Sequence, residues 1–271
     1  MVAVAAGGAV SRPVLVFDSG VGGLSVVTAL RQQVPGLPLA YVCDNAALPY
    51  GTKPDSWLLR RIVDVCVAAV AASDARVLVV ACNTASTLAL EALRERLAIP
   101  VVGTVPAIKP AAQLSRTGVI ALLATTATVT RPYTDRLIEE FAGHCTVARV
   151  AADPLVAQAE RWLAGEPLDA RVLAECLAPL AAIARLDTVV LGCTHFPLLR
   201  ESLAAVAPGP VHWIDSGDAI ARRVVQVVGE VPLPTVSSGA FLSWATAPDN
   251  PGLARAFSGF GFQPPGKISE K

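Results

Sequence analysis

The chain has no long apolar run. The apolar set makes up 53% of its 271 residues, but no stretch approaches the roughly 18 uncharged apolar residues of a membrane span. No membrane partner is expected. It also lacks an excess of either charge, with 22 basic and 22 acidic residues and a pI near 6.8. No basic stripe is visible, so nucleic acid is not expected as a partner. A near-neutral, apolar-rich protein tends to self-associate, and a homodimer is expected. Among the six cysteines there is no CxxC pair and no Cys/His spacing typical of zinc. They are too sparse for a disulfide scaffold. The opening MVAVAAGGAV, residues 1–10, is apolar but short and lacks a basic start. It reads as a flexible lead-in rather than a signal peptide, which makes the cytoplasm the expected location and keeps the thiols reduced.

Short β-branched runs alternate with longer amphipathic ones. Strands are predicted at Val14–Phe17, Leu39–Val42, Arg76–Ala81, Val101–Gly103, Val119–Leu123, Thr146–Val150, Thr188–Leu191, Val211–Ile214 and Gly239–Ala245. Helices are predicted to begin near Gly22, Pro54, Thr84, Pro106, Thr128, Pro154, Asp169, Phe196, Gly217 and Pro251, several of them opened by Pro or by Asp, Ser or Thr. This alternation implies an α/β fold with parallel sheets. A weak internal repeat links VLVFDSG (Val14–Gly20) to VHWIDSG (Val211–Gly217). Two doubly wound lobes with pseudo-twofold similarity are expected, with the active site in the cleft between them. The first takes residues 11–103 and 215–271, the second 104–214. The closing GFGFQPPGKISEK reads as a variable tail.

Two cysteine junctions repeat more clearly. RVLVVACNTAS runs from Arg76 to Ser86 and DTVVLGCTHFP from Asp187 to Pro197, with Cys82 and Cys193 111 residues apart. A strand ending at each cysteine leaves the thiol at the carboxyl edge of a sheet, where open α/β sheets bind ligands. The helix that follows aims N–H groups at the sulfur, and a lowered thiol pKa is expected. His195 could supply a proton or hold a thiolate as imidazolium. Asn83, Thr84 and Thr194 offer neutral hydrogen bonds.

Asp18 and Ser19 lie in FDSGVGG, a strand followed by a Gly-rich turn suited to an anion. The plainer reading makes one of them an N-cap. Gly20–Gly23 could instead be a degenerate dinucleotide loop with Asp44 as ribose ligand, but Ser25 stands where the third glycine should be. Tyr50 and Gly51, in Pro49–Gly51, could bind a small acid or simply form a turn. Cys66, Cys176 and Cys43 read as core, Cys145 as surface, and His212 as structural.

At this point the chain resembles the bacterial glutamate racemases. FDSGVGGLSV, PYG, ACNTAS, LLATTATV, VLGCTHFPLL and IDSGDAIARR recur in that family's order. The resemblance implies a cofactor-independent enzyme that supplies D-glutamate for peptidoglycan, hence for the cell wall and cell shape. It assigns Cys82 as the base for D-glutamate and Cys193 for L-glutamate, assisted by Asp18, His195 and Glu160. It places Asp18, Ser19, Tyr50, Gly51, Asn83, Thr84, Thr194 and His195 on the substrate. Chemistry agrees. No pyridoxal site is evident, since Lys53 and Lys109 fall in loops, so preorganised dipoles and a desolvated thiolate must remove the Cα proton. Racemisation needs a base on one face and an acid on the other, as two equivalent cysteines provide. Thr194 and the Tyr50–Gly51 turn are expected at the distal carboxylate, with Asp18, Ser19, Asn83 and Thr84 at the amino-acid end. Aspartate or hydantoin racemases, and a non-catalytic binder of small acids, are the alternatives.

Overall fold

The computed structural model describes residues 12–229 and 241–269; residues 1–10, and Gly239 and Ala240 of a predicted strand, lie outside them. The first sheet holds β1 (Val14–Asp18), β2 (Leu39–Cys43), β3 (Val77–Val80) and β4 (Val101–Val102). The second holds β5 (Val119–Ala124), β6 (Thr146–Ala151), β7 (Thr188–Leu191) and β8 (His212–Ile214). The chain then returns to the first sheet with β9 (Ser243–Ala245) and β10 (Gly266–Lys267). All pairings are parallel. The orders are β10-β9-β2-β1-β3-β4 and β6-β5-β7-β8.

Sequence explains why these runs are strands. VLVF and VLVV have no polar face because helices cover both sides of a parallel sheet. Side chains alternate between two cores. Val14 and Val16 pack with Leu24, Leu30 and Val224, while Leu15 and Phe17 pack with Leu58, Ile62 and Leu93. The second sheet divides likewise, with Leu123 on one face and Leu122 on the other.

The two orders share a pattern. β2-β1-β3-β4 corresponds to β6-β5-β7-β8, so β3 and β7, the strands that precede the cysteines, are counterparts. The DSG repeat is not part of this symmetry, which corrects the sequence reading. β1 sits inside its sheet and corresponds to β5, whereas Val211–Gly217 contains the edge strand β8. A tight turn after a strand suits a short Asp-Ser-Gly in either place.

Other predictions need revision. The helix placed at Thr128 is two helices, Thr126–Val129 and Pro132–Ala142. Arg131 between them is extended, as the residue before a proline tends to be. The helix at Phe196 begins as a 3-10 turn, Phe196–Leu199, and continues as Arg200–Val206. The tail is structural. Phe262 packs on Tyr41 and Phe257, β10 extends the sheet, and Ile268 is buried. No helix among the described residues is long and apolar enough to cross a membrane.

Candidate active site

β1 ends at Asp18, and Ser19 opens the turn into the helix Leu24–Gln33. Asp18 is no N-cap: the helix is capped at Gly23 without a side-chain bond. Instead, its carboxylate accepts the Gly20 N–H at 3.0 Å and the Thr194 hydroxyl at 3.0 Å. Thr194 comes from the other lobe, so this buried carboxylate ties the two lobes behind the cleft. Burial pushes the Asp18 carboxyl above its ordinary range, opposed by the charge of His195 and by those hydrogen bonds.

The glycines of this turn admit side chains from the second lobe. A Cβ on Gly20 would collide with the Glu160 carboxylate, and one on Gly22 with Thr194 and His195. Close approach, not phosphate binding, is what the turn requires. The dinucleotide reading also fails at Asp44. That fully buried carboxylate accepts from Arg61 at 2.6 and 2.7 Å, from Tyr50 at 2.8 Å and from Thr246 at 2.8 Å. It anchors local structure and offers nothing to a ribose.

Between the lobes lies a tight cavity of about 40 Å³. Cys82 and Cys193 both line it, as do Ser19, Asn83, Thr84, Thr194 and His195. The Pro49–Gly51 turn and the start of Thr126–Val129 close its far side. Asn83 Oδ1 is buried without a hydrogen-bond partner among the described residues, an unmet acceptor on a ligand site. Tyr50 also lines the cavity, but its hydroxyl already donates to Asp44. The hydroxyl proton expected to bind an acid is therefore committed, leaving the turn's backbone for that task. Thr125 and Thr128 line the cavity too and were not foreseen as site residues. Their signal was the LLATTATV segment, in which nothing but their order in the chain marks them out.

The two thiols have different surroundings. Cys82 is the N-cap of the helix Asn83–Arg96. The expected lowering of its pKa is overturned: burial, and then the charge of Asp18, push it up to about 12. The Ala85 N–H and the Ser19 hydroxyl, 3.8 Å away, oppose this without prevailing. Desolvation of a thiolate outweighs one helix terminus. Cys193 is half-buried and followed by a turn instead of an α-helix. Its partner is His195, with Sγ to Nδ1 at 3.7 Å. The other ring nitrogen, Nε2, lies 2.8 Å from Glu160 Oε1, which also accepts the Val21 N–H at 2.9 Å. Burial disfavours a charged His195, but its bonds to Cys193 and Glu160 prevail and lift it well above the ordinary range.

Asp18 and Glu160 thus sit behind the cavity wall, one linked to Thr194 and the other to His195. Among the remaining cysteines, Cys43, Cys66 and Cys176 are buried and Cys145 is half-buried. His212 is exposed on β8. No cluster of three or more His, Cys, Asp or Glu among the described residues is placed to hold a metal.

A two-lobed α/β protein that brings one thiol from each lobe to a single cavity is equipped for proton transfer at opposite faces of one carbon. Comparison with known proteins gives the particular kind. The Asp/Glu/Hydantoin racemase family matches residues 22–224. A glutamate racemase of Pectobacterium carotovorum subsp. carotovorum is 48% identical over 239 residues, spanning 88% of this chain and 84% of the relative. One from Sodalis glossinidius is 50% identical over 224 residues, spanning 82% and 77%. The crystal structure of Escherichia coli glutamate racemase in complex with L-glutamate and the activator UDP-MurNAc-ala aligns with a TM-score of 0.86. Identity there is 43%, over 93% of this chain and 96% of that one. The chain belongs to the Asp/Glu/hydantoin racemase family.

Proposed function

We propose that this chain racemises glutamate, using Cys82 and Cys193 as an acid–base pair on opposite faces of Cα and no cofactor. The observation that carries this reading is the pair of thiols on one cavity, each at the end of a topologically equivalent strand. Their unlike surroundings suit the chemistry. Cys82, pushed up to about 12, is a thiol at neutral pH and the acid for one face. Cys193, beside a charged His195, is the base for the other. In the forward direction Cys193 takes the Cα proton of L-glutamate and Cys82 gives its own proton to the opposite face. The product is D-glutamate, with Cys193 now thiol and Cys82 thiolate. The reverse reaction exchanges the roles.

Glu160 holds His195 in place, and Asp18 holds Thr194 and Gly20. The unmet Asn83 Oδ1 suits the substrate ammonium, with Ser19 and Thr84 near the same end. The backbone N–H groups of Thr194 and of the Tyr50–Gly51 turn take the carboxylates, Thr125 and Thr128 adding hydroxyls at the far side. Such an activity supplies D-glutamate for peptidoglycan from the cytoplasm. We also read the lobes as units of residues 11–103 with 215–271 and of 104–214. Self-association as a homodimer is in keeping with exposed Trp57, Trp162 and Leu242 and is measured by sedimentation.

Deuterium wash-in tests the reading. In D₂O, solvent deuterium should enter Cα of L- and D-glutamate faster than that of aspartate or 5-substituted hydantoins. Activity should survive hydroxylamine and chelators. Faster exchange of aspartate would move the chain to another branch of its family, and loss of activity with hydroxylamine would point to a pyridoxal enzyme.

A further inference from the structure

The cavity's far side is made by two short segments, one from each lobe. Tyr50 and Gly51 lie on one; Thr125 and Thr128 lie on the other. They touch: a Cβ on Gly51 would stand 3.2 Å from Ala127 Cβ. Each segment runs straight into a helix, and the first turns of those helices carry opposite charges. Asp55 opens the helix Asp55–Ser73, three residues beyond the Tyr50–Thr52 turn. Arg131 is the N-cap of Pro132–Ala142, two residues beyond Thr126–Val129. Their side chains meet across the lobes in a forked pair, Nη2 to Oδ1 at 3.0 Å and Nη1 to Oδ2 at 3.3 Å. Arg131 Nε is buried with no partner among the described residues. Two charged hydrogen bonds hold the two segments together, while one unmet donor opposes this.

We propose that Arg131 and Asp55 are positioning residues that close the cleft, setting the Thr125–Thr128 wall against the Tyr50–Gly51 turn around the far end of the substrate. Neither lines the cavity, so the pair acts through the segments it joins. That the far end is a carboxylate rests on the glutamate reading; the closing contact itself does not.

The tests are Arg131→Gln, Asp55→Asn and the exchanged pair Asp55→Arg with Arg131→Asp. Arg131 is 20% exposed and Asp55 58%, which limits the effect to about two- to fivefold. Labelling of Cys82 and Cys193 by a small alkylating reagent, resolved by peptide mapping, should quicken by that factor in each single variant. It should return towards the original rate in the exchanged pair. KM for glutamate should rise by the same factor with kcat little changed, and thermal unfolding should not move. Unaltered labelling in both single variants, or an exchanged pair no slower to label than they are, would overturn the proposal. Altered labelling without turnover of glutamate by the original protein would uphold the closing contact and sink the glutamate reading alone.

Discussion

Cys82 and Cys193 end counterpart strands of two like sheets, yet the groups behind them differ. Behind Cys82 stand Ser19 and the buried carboxylate of Asp18; burial and then the Asp18 charge keep the thiol protonated, against the Ser19 hydroxyl. Behind Cys193 stand a charged imidazole and the carboxylate of Glu160. The strand pattern places the sulfurs; the residues on neighbouring turns set their protonation. Fold symmetry therefore brings two thiols to one cavity, and local asymmetry gives them unlike surroundings.

Removing either thiol should have the largest effect. Cys82→Ala and Cys193→Ala are each expected to lower racemisation about 10²–10⁴-fold, the usual weight of a positioned acid or base. The comparison sharpens in D₂O. Cys82→Ala should still exchange the Cα proton of L-glutamate, and Cys193→Ala that of D-glutamate. Exchange of both enantiomers by either variant would erase the assignment of faces.

The supporting groups come next. His195→Asn should cost about 10²-fold in kcat, since it removes a charged partner in contact with a reacting sulfur. Ser19→Ala, which removes one long contact to Cys82, should cost only about fivefold. Steady-state kinetics in both directions decide this. Equal losses in the two variants would show that the environments matter less than the structure suggests.

Protonation gives a subtler contrast. At neutral pH Cys193 should alkylate before Cys82, and Cys82 should catch up only towards its value of about 12. For stability the signs agree. The folded protein holds protons that the unfolded chain releases, at His195 above the ordinary 6.5 and at Cys82 above 9.0. Stabilisation from His195 is complete below pH 6.5 and is lost as pH rises through its raised value. Above pH 9 the unfolded chain ionises Cys82 while the fold still holds the thiol, so stability falls further. Urea midpoints across pH 6–11, with His195→Asn as reference, test the first effect. The gap between the two proteins should narrow with rising pH.

The smallest change in chemistry is expected from the aromatic cluster of the C-terminal segment, which packs on Tyr41 in the first sheet. Phe262→Ala should destabilise the protein by about 3 kcal/mol, because it opens a cavity beside Tyr41. Tyr41 donates to the Gly20 carbonyl at 2.8 Å, so turnover should fall modestly. Alkylation of Cys193 should not change; if it does, the loss is carried through the packing of Pro251–Gly259 on Pro154–Leu163, the helix of Glu160.

Much of this protein was legible in its amino-acid order. The uninterrupted Val and Leu runs of β1 and β3 determined buried parallel strands, because no polar face was left to point at water. Proline and small polar residues determined most helix starts. The repeated strand–cysteine junction determined that two thiols would stand at two sheet edges. Asp18 shows where local pattern stops: it was marked as a site residue, but the hydroxyl it holds, on Thr194, comes from a distant segment.

Only the tertiary structure decided such partners. Thr194 and Asp18 are 176 residues apart and share a hydrogen bond; His195 and Glu160 meet across 35. Sequence predicted a thiol activated by a helix terminus at Cys82, and the fold reversed the sign. Desolvation depends on everything packed around a group, and no short stretch of chain records that. The tail likewise lacked a clear strand pattern, since β10 spans only Gly266–Lys267, and it is held by aromatic contacts with Tyr41 more than two hundred residues away. Backbone geometry and apolar periodicity are local and were written in the sequence. Burial, charge and the closing of one lobe on the other are properties of the assembled whole.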